Sequence, residues 1–360
     1  MVSARVQARG VSAATDVKPL SNLRLMQGIS LKSRGVAVLG TGSAGMRHLA
    51  AVKRRFGMQP VAIPLRAGRR PEMEILGYAT AATVQEAVEN FGVELCIVAT
   101  DTDRHYEDGL SVLASHAHLL VEKPMCAHTG HAQSLWLRAQ AAKRELYVGC
   151  VLRASRSLNA FRNKIARLGR IHAVRIECQS YLPDWRPERS YRESYSSREA
   201  EGGVLRDLIH EIDYAGWLFG WPGRLRARLT NEGRLGIDSE ESADLEWMTP
   251  QGAVLSMRLD YLTRPPRRRI MVFGEEGTGE WDGIRHTVRL CLEGQPSDEI
   301  ADVQSLDDLF EAQAQAVVDA LAGISDSRLA SGLDGVRALA VCEAARRASD
   351  CRAEEQVLYP

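Results

Sequence analysis

From Gly35 onward, apolar and polar positions repeat in a fixed order: a short apolar run, a break, then a stretch with apolar residues every three or four positions. Val36-Ala-Val-Leu39 leads through a glycine-punctuated turn into a helical stretch over about 43–56. Pro60-Val-Ala-Ile-Pro-Leu65 is the second run, followed by a basic loop and a helix over 83–91. Runs at 95–99, 118–121 and 146–149 follow, separated by helical patterns over 106–115 and 129–144. Strands alternating with helices predict a parallel, doubly wound sheet over 35–152, an α/β arrangement.

After residue 152 the rhythm changes. Strand patterns at 171–181, 225–230, 243–248, 253–261, 269–273 and 287–292 follow one another with few helices between them, which predicts a mostly antiparallel sheet. Thr249-Pro-Gln-Gly252 reads as a turn, and Gly277-Thr-Gly279 as part of another. Helical patterns over 205–219, 306–322 and 333–349 make residues 153–360 an α+β domain. Residues 1–34 lack sustained periodicity and read as a mobile arm or an upstream extension, with Met26 as an alternative start.

The length agrees with this division, since 360 residues at about 150 per domain suggest two. The 46 basic and 46 acidic side chains cancel, so no global field draws in nucleic acid or an anionic membrane. No apolar run approaches the ~18 residues of a membrane span. Seven scattered cysteines without a C-x-x-C pair fit reduced thiols in a cytoplasmic protein. Arginine outnumbers lysine 40 to 6, so each lysine is scarce.

Gly40-Thr41-Gly42-Ser43-Ala44-Gly45 matches G-x-G-x-x-G between a strand and a helix. In that setting Gly40 makes the tight turn, Gly42 lets backbone amides approach a pyrophosphate, and Gly45 lets the helix pack close to the strand. The carboxylate that reads the ribose of NAD about 20 residues later is absent. Arg66 stands there instead, with Arg69 and Arg70 nearby, so the cofactor is NADP or NAD with NADP favoured, unless these arginines form only a solvated loop face.

Glu122-Lys123-Pro124 falls where a parallel strand ends, the edge at which such sheets bind ligands. In the 205–219 helix, Asp207, His210, Asp213, Tyr214 and Trp217 share one face, while Leu208, Ile209, Ile212, Ala215 and Phe219 share the other. Asp207 and His210 at i and i+3 predict a carboxylate that orients an imidazole for acid/base work. Arg153, Trp185, Arg186 and Tyr191, with Arg192 and Tyr195 close by, could line a substrate site. The run Arg264-Pro-Pro-Arg-Arg-Arg269 reads as a phosphate holder or a solvated linker, and His116/His118 and His128/His131 give no metal-site pattern.

Gly40 to His48, Ala99-Thr-Asp-Thr-Asp-Arg-His105, Glu122-Lys-Pro124 and Gly202-Gly203 with Asp207 and His210 together resemble the glucose–fructose oxidoreductase / inositol dehydrogenase / rhizopine-catabolism (Gfo/Idh/MocA) family over about residues 35–350. The resemblance implies a Rossmann domain followed by an α+β domain with an open antiparallel sheet, often used for self-association as a dimer or tetramer. It implies hydride exchange between a nicotinamide and a sugar, possibly nucleotide-linked in kind, with Lys123 as the catalytic lysine and Thr100, His105 and Glu122 lining the cofactor. The chain departs from the family at Thr100-Asp-Thr102, where T-P-N is usual, and by leaving two residues rather than three between Asp207 and His210: counting back from His210 puts Arg206 at the usual Asp position, whereas counting forward from the glycines selects Asp207, which is preferred because only it supplies a carboxylate. An NAD-dependent glycosidase and a non-catalytic NAD(P) sensor on the same fold are the alternatives.

Overall fold

The computed structural model describes residues 35–199 and 202–360, so the expectation for 1–34 lies outside the described residues. The first sheet is built from β1 (Gly35–Leu39), β2 (Val61–Ile63), β3 (Ala79–Thr80), β4 (Val93–Val98), β5 (His118–Val121) and β6 (Leu146–Val148), all parallel to their neighbours. Between them run α1 (Ser43–Phe56), α2 (Arg70–Ile75), α3 (Val84–Phe91), α4 (His105–Ala114) and α5 (Thr129–Ala141). The spatial order β6-β5-β4-β1-β2-β3 reverses direction between β1 and β4, which opens a crevice beyond their carboxyl ends. Helices cover both faces, and β4 is accordingly apolar and buried at five of its six positions.

The second half begins with α6 (Arg156–Lys164) and continues through β7 (Ile171–Tyr181), α7 (Val204–Asp207), α8 (Ile209–Phe219), β8 (Arg224–Thr230), β9 (Ser242–Met248), β10 (Val254–Asp260), β11 (Leu262–Gly274), β12 (Gly277–Asp282), β13 (Thr287–Leu292) and β14 (Asp298–Ala301). It ends with α9 (Leu306–Leu321), β15 (Ala330–Ser331), α10 (Gly332–Cys351) and β16 (Glu355–Gln356). The second sheet runs β14-β13-β12-β11-β7-β10-β9-β8-β16, and only the β7–β10 pair is parallel. Along β9 buried and exposed residues alternate from Ala243 to Met248, as expected when one face packs on helices and the other is bare.

Three local expectations change. The basic loop after β2 contains α2 and β3. Gly277-Thr-Gly279 begins β12, and the turn is the preceding Glu275-Glu276. The helix over 205–219 is two helices, because Leu208 (φ −97°, ψ 29°) breaks it.

The chain returns to its first sheet before it ends. α9 lies against α1, where Arg54 donates to Glu311 at 2.6 Å and Arg47 to Asp307 at 2.9 Å, and Ala314 and Val317 join a core with Val36, Val38 and Leu49. β15 then pairs antiparallel with β6, and α10, opened by a Ser331/Asp334 capping box, packs on α5, α8 and β8. The two sheets therefore share one continuous buried core, from Ala37 and Val98 through Val336 and Leu339 to Val174 and Trp281.

Arg153 belongs to this joint rather than to a substrate pocket, which corrects the expectation from the sequence. Its guanidinium is 2% exposed, donates to Asp213 on α8 at 2.8 and 2.6 Å, and reaches Asp334 on α10 at 3.3 Å. Burial on this scale tolerates a cation only when it is fully paired. Arg153→Met leaves two carboxylates facing an apolar neighbour, and chemical unfolding should register a loss of about 3–5 kcal/mol. A loss below about 1 kcal/mol together with weaker substrate binding would return Arg153 to the substrate site.

Candidate active site

The glycine turn between β1 and α1 has the three distinct environments its spacing predicts. Gly40 has φ +93°, and a Cβ there would lie 2.6 Å from the Ala99 carbonyl oxygen. A Cβ on Gly45 would sit 1.9 Å from the Gly40 carbonyl oxygen, so α1 can pack this close only with glycine. Gly42 meets nothing within 4 Å, and at this N-cap no side chain caps α1 and no acidic residue occupies its first turn. The exposed start at Gly42 and Ser43, beside buried Thr41, is an uncapped positive helix end facing free space. A dinucleotide pyrophosphate fits this cradle, and a Cβ at Gly42 would intrude on it.

Beyond the ends of β4 and β5 the residues expected to line the cofactor are bonded mainly to one another. Thr100 Oγ1 donates to Asp108 at 2.7 Å. The His105 ring nitrogens lie 2.9 Å from the Pro124 carbonyl oxygen and 3.1 Å from that of Thr100. Burial lowers the His105 pKa. Glu122 Oε1 sits 2.8 Å from His48 Nε2, and Glu122 Oε2 accepts from the Lys123 amide. Burial works to raise the Glu122 carboxyl, but its bond to His48 and the charges of His48 and Lys123 hold it below the ordinary value. These groups form a braced floor, and His48, not singled out from the sequence as a site residue, is part of it.

Lys123 follows β5 directly and is half-buried. Its Nζ crosses to the second half of the chain and donates to the main-chain carbonyl of Asp207 at 2.9 Å. Next along the chain, His210 has Nδ1 buried and unpartnered. Burial, then the charges of Lys123 and Arg268, push its pKa well below the ordinary 6.5. Both effects favour the uncharged imidazole over the imidazolium.

Asp207 differs from the expectation. The break at Leu208 separates it from His210, and its Oδ2 accepts from the Tyr261 hydroxyl at 2.7 Å while Oδ1 has no partner. The rest of the predicted polar face is buried as well, Asp213 on Arg153 and Tyr214 in the core, because α8 is packed on both sides.

The substrate candidates divide. Trp185 is 38% exposed and meets the Tyr261 ring edge-on at 5.5 Å. Arg186 is exposed and lies close enough to Tyr195 for its charge to act on that phenol. Tyr191 instead donates to the Leu235 carbonyl at 3.0 Å, a structural anchor. The basic run is part of β11: Arg264 forms a two-pronged pair with Asp184, and Arg268 turns inward to Glu211 at 2.8 Å, so it is neither a linker nor a free phosphate holder. Among the described residues no three His, Cys, Asp or Glu side chains gather as a metal site.

Comparison with known proteins places this geometry in context. Residues 34–150 match the model for the oxidoreductase family with an NAD-binding Rossmann fold, and residues 163–280 match the GFO/IDH/MocA C-terminal domain. A 1,5-anhydro-D-fructose reductase of Ensifer adhaerens is 26% identical over 207 residues, 55% of this chain and 60% of that enzyme, so the chain spans little more than half of that relative. In overall fold it is similar to a levoglucosan dehydrogenase solved with NADH and L-sorbose (TM-score 0.81, 16% identity, 91% of this chain and 99% of that one). It is similar also to the WlbA dehydrogenase of Bordetella pertussis solved with NADH and UDP-GlcNAcA (TM-score 0.76, 18% identity, 91% and 100%). Two family models matched in order along a single chain, on the two sheets just described, mean that this protein belongs to the Gfo/Idh/MocA family of NAD-binding oxidoreductases.

Proposed function

We propose that the protein is an NAD(P)-dependent oxidoreductase acting on a hydroxyl or carbonyl carbon of a sugar or nucleotide-linked sugar. The observation that carries this reading is the Lys123 Nζ bond to the Asp207 carbonyl, which brings the lysine at the end of β5 to the α7–α8 segment, where its charge acts on His210, in a chain that also carries the open cradle at Gly42. When bound, the nicotinamide supplies hydride acceptance or donation. In the oxidising direction His210 takes the hydroxyl proton, and Lys123 stabilises the negative charge that develops on the oxygen. In reduction the same roles run backwards: His210 returns the proton and Lys123 again stabilises the charge on the oxygen. Trp185 and Arg186 supply a face for stacking and a cation for an acidic substituent.

Arg66 follows β2 and is exposed, and its side chain has no hydrogen-bond or ion-pair partner among the described residues, whereas the Arg69 side chain has Glu72 at 3.4 Å. This arrangement supports Arg66 as the cation for an adenosine 2′-phosphate and NADP as the preferred cofactor. The bare face of the second sheet, where Arg175 and Arg258 alternate with Glu177 and Asp244, suits self-association into a dimer or tetramer. All seven cysteines are free, and no described helix is long and apolar enough to cross a membrane, which is consistent with a cytoplasmic site of action.

Two measurements test this reading. With a panel of free and nucleotide-linked sugars, substrate-dependent absorbance change at the reduced-nicotinamide band should fall about 10³-fold in Lys123→Met while the dissociation constant for reduced cofactor stays the same. Near-normal turnover in that variant would remove Lys123 from the chemistry. Arg66→Ala should raise KM for NADPH about tenfold or more and leave that for NADH nearly unchanged; equal effects on both would rule out the 2′-phosphate contact.

A further inference from the structure

Tyr261 is a fully buried tyrosine on the short turn between β10 and β11. Its hydroxyl donates to Asp207 Oδ2 at 2.7 Å, and the main-chain carbonyl of the same Asp207 receives Lys123 Nζ at 2.9 Å. Tyr261 is itself fixed: its amide donates to the Glu241 carbonyl, its carbonyl accepts from Leu182, and Trp185 packs edge-on against its ring. Asp207 sits at the break between α7 and α8, where Leu208 leaves helical geometry and the local main chain has less support from the helix ladder.

We infer that Tyr261 is a positioning residue, which clamps the Asp207 carboxylate and thereby holds the Asp207 carbonyl where it aims the Lys123 ammonium group. Asp207 then acts on the lysine through its backbone, and its carboxylate is the handle by which the second sheet sets that backbone. Asp207 Oδ1, buried and without a partner, makes Tyr261 its principal short hydrogen-bond donor. The Tyr195 phenol also interacts with the Asp207 carboxylate, by charge and hydrogen bonding, and feels the charge of Arg186, so the clamp adjoins the loop bearing Trp185 and Arg186. Substrate contact at that loop would be transmitted to Lys123 through the same tyrosine.

The kinetic part of this inference rests on the function proposed above, so the deciding measurement is one that needs no turnover. Lys123 is one of six lysines, and the exposed Lys143 is an internal reference. In the full-length protein, the rate of Lys123 acylation by acetic anhydride, mapped by mass spectrometry, should rise about tenfold relative to Lys143 in Tyr261→Phe, which keeps the ring and removes only the hydroxyl. Asp207→Ala should raise it similarly, and Tyr261→Phe/Asp207→Ala no further than Asp207→Ala alone, because the two groups act in series. Unchanged thermal midpoint and cofactor dissociation constant in Tyr261→Phe identify the altered rate as a local effect. In turnover the same variant should lose kcat about tenfold with little change in KM for cofactor. Lys123 labelling that is unchanged in Tyr261→Phe, or that multiplies in the double variant, overturns the clamp. Faster labelling in a protein that turns over none of the sugars upholds the clamp and defeats the proposed reaction.

Discussion

One hydrogen bond joins the two halves of the proposed site: Lys123 Nζ, at the end of β5, to the carbonyl of Asp207, at the end of α7. In that proposal neither sheet holds a complete site. The first contributes the glycine cradle and the lysine, and the second contributes His210 and the Asp207 carbonyl. For that bond to have a fixed length the sheets must be rigid with respect to each other, and the surrounding structure supplies this rigidity. Arg153 joins the turn after β6 to α8 and α10, β15 extends the first sheet with chain from the second half, and α9 is fastened across α1 by ion pairs and apolar contacts.

Electrostatics completes what packing begins. Buried charges near the site are matched: Arg153 with Asp213, Arg268 with Glu211, Glu122 with His48. Pairing lowers the cost of keeping ions out of water. Burial is the larger force against protonating His210, and the charges of Lys123, whose bonded partner is a carbonyl, and of Arg268 add to it. A cation and a neutral base side by side are what proton and charge movement at one oxygen requires.

The periodic and steric signals were legible in the sequence. Gly40, Gly42 and Gly45 each occupy the environment that a phosphate-binding turn demands, and Lys123 emerges where a strand of a doubly wound sheet must end. Long-range polar partnerships were not. Asp207 and His210 look like neighbours on a helical wheel, but a single non-helical residue, Leu208, separates them, and no local pattern announces it. Arg153 reads as a free cation because its carboxylates are 60 and 181 positions away, and Tyr191 reads as a ligand because the carbonyl it bonds is 44 positions away. Tyr261 carries no motif, and only the fold brings it to Asp207.

The central claim is that Lys123 and His210 form one site in which burial, joined by the charges of Lys123 and Arg268, disfavours the imidazolium. Nitrogen-detected NMR of the imidazole of His210 tests it directly, in the wild type and in Lys123→Met. The account predicts a neutral ring at pH 6.5 and a midpoint that moves upward when the ammonium group is removed, because one of the charges opposing protonation is gone. An imidazolium at pH 6.5 in the wild type, or a midpoint indifferent to Lys123, would contradict it.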